Sequence, residues 1–282
     1  MSSYRFCRTD DIGLLVDALN RCWAPYFPGE PPMTPAAFKR SIRDLQVWCS
    51  SCMVAFSGSD PIGVLIGAKR PSATLVHRIA VHPDHRRQGH GRHLLDSLGS
   101  KLAILGPPRI VAEVPETLSA ACELFGASGY VEEARLTDYV LEGGTEDARP
   151  VDGRFVIPVT VDDLAANGLL GETHPQVCWE RAAESLTARK DEIAGFAIAS
   201  EASIEAYVLH AAGGEIVALR SLVEDGGARL RHLFARLGSG TFRVSRVHPR
   251  EISRDVLETL GFRPAAAHRL YAGTLRKGSG PP

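Results

Sequence analysis

The nine residues Arg92-His93-Leu94-Leu95-Asp96-Ser97-Leu98-Gly99-Ser100 return as Arg231-His232-Leu233-Phe234-Ala235-Arg236-Leu237-Gly238-Ser239, with six of the nine identical. A repeat of this kind constrains the fold of a 282-residue chain more than any single motif, because each half becomes a guide to the other. Two further echoes keep the same order. Thr9-Asp10-Asp11-Ile12 and Thr160-Val161-Asp162-Asp163-Leu164 each take a short apolar stretch into an acidic helix start, and Gly129-Tyr130 and Gly261-Phe262 each end a helix and open a strand. Residues 142–154 hold no hydrophobic period and collect Gly, Pro and acidic residues, as a linker does. The chain therefore reads as a duplicated domain, 1–141 and 155–282, joined by a linker at 142–154.

Periodicity fills in the halves. In the first, Ile12, Leu14, Leu15, Ala18, Leu19 and Cys22 fall at helical spacing behind Thr9 as an N-cap, and a second helix follows Thr34. Strands are expected at 47–56, 61–68 and 73–82, the first two joined by the hairpin-type turn Ser57-Gly58-Ser59-Asp60-Pro61. A helix with Leu94, Leu95, Leu98, Leu102 and Leu105 on one stripe comes next, then strand 109–114, a helix through Phe125 and strand 130–141. The second half repeats this order: strand 155–159, helical segments within 162–189, strands 193–199, 202–210 and 215–222, helix 228–237, strand 241–247, helix 250–260 and strand 264–274. The fold class is α/β, of the α+β kind, with two similar domains each built on a mixed, mostly antiparallel sheet flanked by helices.

With 44% apolar and 23% charged residues and a formal net charge of −1, no broad basic surface is available for nucleic acid or a membrane. Any anion site must be local. The start of the chain lacks the apolar core of a secretion signal, no apolar run reaches the ~20 residues of a membrane span, and six scattered cysteines fit a reducing compartment, so a cytoplasmic location is expected. Cys49-x-x-Cys52 has no second Cys/His pair nearby and reads as ordinary thiols. No metal is expected.

The local anion site is easy to place. The strand ending at Val81 passes through Pro83 into Arg86-Arg87-Gln88-Gly89-His90-Gly91 and then directly into a helix. Glycines let a backbone turn sharply and approach a ligand, while the unpaired N–H groups and positive dipole end of a helix start favour phosphate. Arg86, Arg87 and Arg92, interleaved with His82, His85, His90 and His93, add cations to that spot. The pattern is neither a dinucleotide fingerprint nor a P-loop, since Gly-x-Gly-x-x-Gly and Gly-Lys-Ser/Thr are both missing.

The run from Val81-His82-Pro83 to Leu94-Leu95 resembles the acyl-CoA signature, Arg/Gln-x-x-Gly-x-Gly/Ala, of the GNAT N-acyltransferase superfamily. The resemblance covers the element order of residues 4–141 and continues at Val114, Ala121, Leu124 and Gly129-Tyr130. It implies an acetyl-CoA co-substrate whose pyrophosphate is held by backbone amides from Arg87 through Arg92, including Gln88, Gly89, His90 and Gly91, beside Arg86. It also implies that the strand Ile79-Ala80-Val81 pairs with the pantetheine arm. Direct transfer to a primary amine needs a base, and usually an acid for the departing thiolate. Glu113 matches a position where some members carry a glutamate base; a solvated strand end or a pair with Arg109 is the plain alternative. His77, on the strand face shared by Leu75, Ile79 and Val81, is a second possible base, or a core histidine. In the helix that commonly supplies a tyrosine acid and an asparagine, Phe125 replaces the tyrosine and Leu118 the asparagine. Phe125 can pack against the cofactor but cannot donate. Trp23, Tyr26 and Phe27 fall where the family shapes its acceptor pocket.

The second copy offers Leu222-Val223-Glu224-Asp225-Gly226-Gly227 at the loop, reversing its charge. It is expected to be a degenerate domain that binds no CoA. Two readings follow for the whole chain: an N-acetyltransferase for an amine of unassigned identity on a small molecule or protein, or a non-catalytic acyl-CoA-binding module. The expected assembly is a monomer with pseudo-dimeric domains or a homodimer.

Overall fold

The computed structural model describes residues 2–143, 154–170 and 177–274, so the linker expected at 142–154 lies outside the described residues at 144–153. The elements run β1 (Ser2–Phe6), α1 (Ile12–Cys22), α2 (Pro35–Leu45), β2 (Met53–Ser57), β3 (Asp60–Lys69), β4 (Thr74–Val81), α3 (His90–Leu105), β5 (Arg109–Pro115), α4 (Ser119–Ala127) and β6 (Val131–Leu141). The second half runs β7 (Phe155–Val159), α5 (Val161–Ala166), α6 (Ala183–Ala188), β8 (Ala194–Ala199), β9 (Ile204–His210), β10 (Ile216–Ser221), α7 (Ala228–Leu237), β11 (Phe242–Val247), α8 (Arg254–Thr259) and β12 (Arg263–Thr274). The two halves keep one element order, and the mixed, mostly antiparallel sheets flanked by helices are as expected.

Strand order brings a feature that periodicity does not carry. One sheet runs β1-β2-β3-β4-β5-β12-β6-β11 and the other β10-β9-β8-β7. The compact units are accordingly Met1–Glu133 with Arg269–Pro282, and Ala134–His268. Each unit takes part of β6 and part of β12, so the division falls inside two strands, where the sequence reading places it in the linker. A repeat records that two strands are alike; it does not record which neighbour each one pairs with.

The first unit's core shows why these residues form these elements. Leu94, Leu95, Leu98 and Leu102 of α3 are all buried against Leu65, Val76, Ile110, Ala112 and Phe125. Each leucine removed from water contributes about 1.5–3 kcal/mol. Tyr271, from the last strand, joins the same cluster at 5% exposure, its ring stacked on Phe125 with centroids 5.6 Å apart. Thr34 caps α2, accepting from the Ala37 amide at 3.1 Å. Thr9 does not cap α1: the helix opens at Ile12 behind Asp11, whose carboxylate instead accepts from the Arg8 amide at 2.7 Å and the Arg5 guanidinium at 3.0 Å. Nor does a strand run through 47–52. A 3-10 turn occupies Cys49–Ser51, and Gly67 explains it, since a Cβ there would meet the Ser51 carbonyl oxygen at 2.5 Å. Cys49 and Cys52 are both buried thiols.

In the second unit, Leu230, Leu233 and Phe234 of α7 pack with Val208, Ile216, Val244, Phe262 and the β6 residues Tyr139 and Leu141. Thr160 opens α5 with a reciprocal cap, its Oγ1 accepting from the Asp163 amide at 3.1 Å while Asp163 accepts from the Thr160 amide at 2.8 Å.

Candidate functional site

The site grows from two parallel strands that part. β4 and β5 pair at Thr74 with Ile110 and at Leu75 with Val111, after which β4 runs on to Val81. Along Ile79-Ala80-Val81 the strand is held on its β3 side, opposite Leu65, Val64 and Gly63, leaving its other edge toward the gap. A β-bulge sits just before this stretch: Val76 pairs with Gly67 and Arg78 with Ile66, which leaves His77 as the extra residue. Val76 and Ile79 consequently share a face, opposite Gly67 and Leu65, so Leu75 and Ile79 lie on opposite faces. The face that alternation assigns to His77 together with both of them does not exist.

From Val81 the chain turns through a 3-10 turn at Pro83–His85, where His82 Nδ1 accepts from the Asp84 amide at 3.3 Å. Arg87 (φ 61°) and Gly89 (φ 85°) are both left-handed, a conformation that costs a residue with a Cβ roughly 1–2 kcal/mol. α3 then opens at His90 with no side-chain cap on its first turn, so the amides there keep their hydrogen-bonding capacity for a ligand. Gly91 lets α4 come close, since a Cβ there would lie 3.0 Å from the Leu124 side chain.

The cations are held in different ways. The Arg86 guanidinium lies 5.4 Å from the centre of the Tyr26 ring, Arg87 faces Glu123 at 3.7 Å, and Arg92 donates to the Ala127 carbonyl at 2.5 Å. His90 is buried, its Nδ1 bonded to the Tyr4 hydroxyl at 2.6 Å. Burial holds its pKa below the usual imidazole value, and His85 and His93 add to that.

These pieces line one cleft of about 650 Å³. Of the residues singled out in the sequence, Ile79, Ala80, Val81, Arg86, Arg87, Gly89, His90, Gly91 and Arg92 all face it, as do Trp23, Tyr26 and Phe27. The other wall is α4 and its approach, including Thr117, Leu118, Ser119 and Ala121. Sequence reasoning missed Thr117, Ser119 and Glu123, although the i, i+3/i+4 spacing of Thr117, Ala120, Ala121, Leu124 and Ala127 was there to find.

Four expected site residues are not on the cleft wall. Gln88 is exposed beside it. Phe125 is 1% exposed and sits in the core, edge-on to Tyr130 at 5.2 Å and stacked on Tyr271. Glu113 is half-buried on β5, on the face opposite Ile110, Ala112 and Val114, which belong to the core cluster; Arg109 is held by Glu133 at 2.8 Å. His77 is half-buried at the bulge. Burial pushes the Tyr130 hydroxyl up to about 12, the wrong direction for an acid working near neutrality.

The second unit repeats the geometry with the anion built in. Among the described residues a single parallel bridge, Glu215–Arg243, pairs β11 with the residue before β10, and Gly227 (φ 82°) precedes α7 as Gly89 precedes α3. Here the Asp225 carboxylate accepts from the Gly227 and Arg229 amides, each at 3.0 Å, and from the Arg229 guanidinium at 2.8 Å. Elsewhere in the unit, buried Arg181 donates to the Ser245 carbonyl at 2.8 Å and, through both terminal nitrogens, to Glu251 at 2.5 and 2.6 Å.

Residues 15–130 match the model of the acetyltransferase (GNAT) family. Solved structures extend the likeness over the whole chain. A tandem GNAT protein from the clavulanic acid biosynthesis pathway is 17% identical over 99% of this chain and 100% of its own, with a TM-score of 0.67. A GCN5-related N-acetyltransferase from Sphaerobacter thermophilus is 14% identical over 98% and 96%, with a TM-score of 0.70. A second one, from Anabaena variabilis, is 12% identical over 98% and 73%, with a TM-score of 0.65. At these identities the likeness is one of fold. None of the curated proteins is significantly similar to the chain in sequence.

Proposed function

We propose that the chain, whose residues 15–130 match the acetyltransferase (GNAT) family and whose fold is like that of a tandem GNAT protein, is an N-acyltransferase moving an acetyl group from acetyl-CoA directly to a primary amine. One observation carries the reading: the open edge of β4 leads along a single cleft to a helix start that has left-handed Arg87 and Gly89, no side-chain cap and three arginines. A polyanion with an extended, peptide-like arm fits that donor set. The α3 amides and Arg86 bind and orient the phosphates, and the backbone of Ile79–Val81 aligns the arm. Acetyl-CoA supplies the activated acyl group as a thioester.

In the transfer, a bond forms from the amine nitrogen to the acyl carbon, the carbon–sulfur bond breaks, the nitrogen loses a proton and the thiolate gains one. The chain's part is to bring amine and thioester together, which removes much of the entropic barrier, and to move those protons. Glu113 and His77 remain the bases proposed from the sequence. Since neither is on the cleft wall, each would act through water. Tyr130 and Tyr271 pack against Phe125 in the core, so the thiolate takes its proton from water; the weak basicity of a thiolate, with a thiol pKa of about 8.5, lets it leave without an enzyme acid.

The burial of Phe125 favours one other reading, a module that binds acyl-CoA without turning it over. Acceptor-dependent thiol release from acetyl-CoA separates the two. The enzyme reading expects release with the intact chain and none with Arg86→Glu combined with Gly89→Asp. Tight binding with no release across a broad amine panel would establish the binding module instead.

A further inference from the structure

The aromatic wall of the cleft is built to stay still. Trp23 stacks on Phe27 with centroids 4.4 Å apart and 19° between the planes, the Arg78 guanidinium covers the indole at 4.9 Å, and its Nε1 donates to Glu30 at 3.2 Å. Tyr26 is pinned by its hydroxyl, which donates to the Val81 carbonyl at 2.6 Å. Pro25 stiffens the turn between them. Rings fixed in this way leave apolar surface on the cleft wall at little entropic cost to a bound partner.

Charge along the cleft sharpens the inference. Among the cleft's lining residues the only carboxylate is Glu123, which faces Arg87 at 3.7 Å. Glu30 is turned to Trp23 and Arg78. A polyamine or aminoglycoside would bring several ammonium groups to a cleft whose lining has no carboxylate set to receive a second cation. An amine on an apolar body meets no such cost, and apolar surroundings favour the neutral, nucleophilic form of its nitrogen.

The geometry points to an acceptor with one primary amine carried on a flat, aromatic body, of the arylalkylamine class, packed against Trp23, Tyr26 and Phe27. This rests on the acyltransferase reading above. The test uses the full chain and acetyl-CoA, with tryptamine and phenethylamine set against spermidine and kanamycin, and acetyl-CoA binding measured separately by calorimetry. The expected result is a kcat/KM for the aromatic amines at least tenfold above that for the polycations. Phe27→Ala should lower it tenfold or more, chiefly through KM, and Phe27→Tyr should restore it. Bound acetyl-CoA with faster turnover of spermidine or kanamycin than of either aromatic amine overturns the inference and leaves the acyltransferase reading standing. Bound acetyl-CoA with no turnover of any of the four amines, or no binding of acetyl-CoA at all, removes the reading beneath it.

Discussion

At the scale of single residues, the clearest contrast in the molecule is between Gly89 and Asp225. Both belong to loops that open a helix through a left-handed glycine. Behind Gly89 the helix start is uncapped and ringed by arginines; before Gly227 the chain supplies its own anion. Burial pushes the Asp225 pKa up, but the hydrogen bonds from Arg229 and the Gly227 amide outweigh it, and the net shift is downward. A carboxyl held below its unfolded value contributes stability that is complete above about pH 4 and is lost as pH falls through the lower, folded value. Asp225→Asn should therefore cost about 1–3 kcal/mol near neutrality and show a shallower loss of stability below pH 4 than the parent. Urea unfolding at a series of pH values measures both. The charge reversal at Glu224-Asp225 was legible in the sequence. That Asp225 folds back onto its own helix start was not, because nothing in a residue's identity says whether its carboxylate meets a ligand or the backbone two residues on.

At the scale of elements, the leucine stripe of α3, the β2–β3 hairpin and the helix starts behind Thr34 and Thr160 could all be read from spacing, since each is decided by neighbours in sequence. The misreadings share one cause. The turn at Cys49–Ser51 depends on Gly67, and the face of His77 depends on a bulge fixed by pairing with β3. Each was settled by a partner that no local pattern names. β12 is the largest case, because its sequence places it in the second half while Tyr271 completes the first unit's core against Phe125. Tyr271→Ala should thus destabilise the unit that holds the cleft by about 3–5 kcal/mol, the usual cost of emptying a buried aromatic site. Denaturation followed by Trp23 and Trp48 fluorescence, with Trp179 of the second unit replaced by Phe in parent and variant alike, would show it. An effect within 1 kcal/mol, below the ordinary range for such truncations, would contradict the packing described.

At the scale of the whole molecule, two copies of one element order differ at the loop before the helix, uncapped before α3 and filled by the Asp225 carboxylate before α7. The duplicated order of elements was visible in the Arg92–Ser100 repeat. The sharing of β6 and β12 between the units was not, and it changes what can be cut. A fragment of residues 1–141 keeps the Arg86–Gly91 loop but lacks residues 269–274, and it is expected neither to unfold cooperatively nor to bind acetyl-CoA, whereas the full chain does both. A well-folded 1–141 fragment with the affinity of the full chain would count against the shared-strand account. Calorimetric titration of the full chain with acetyl-CoA shows whether one loop of the two holds the cofactor: one molecule is expected to bind per chain, with an affinity on the order of micromolar to sub-millimolar, and none once Arg86→Glu is combined with Gly89→Asp. Two molecules per chain, or undiminished binding in that double variant, would contradict it.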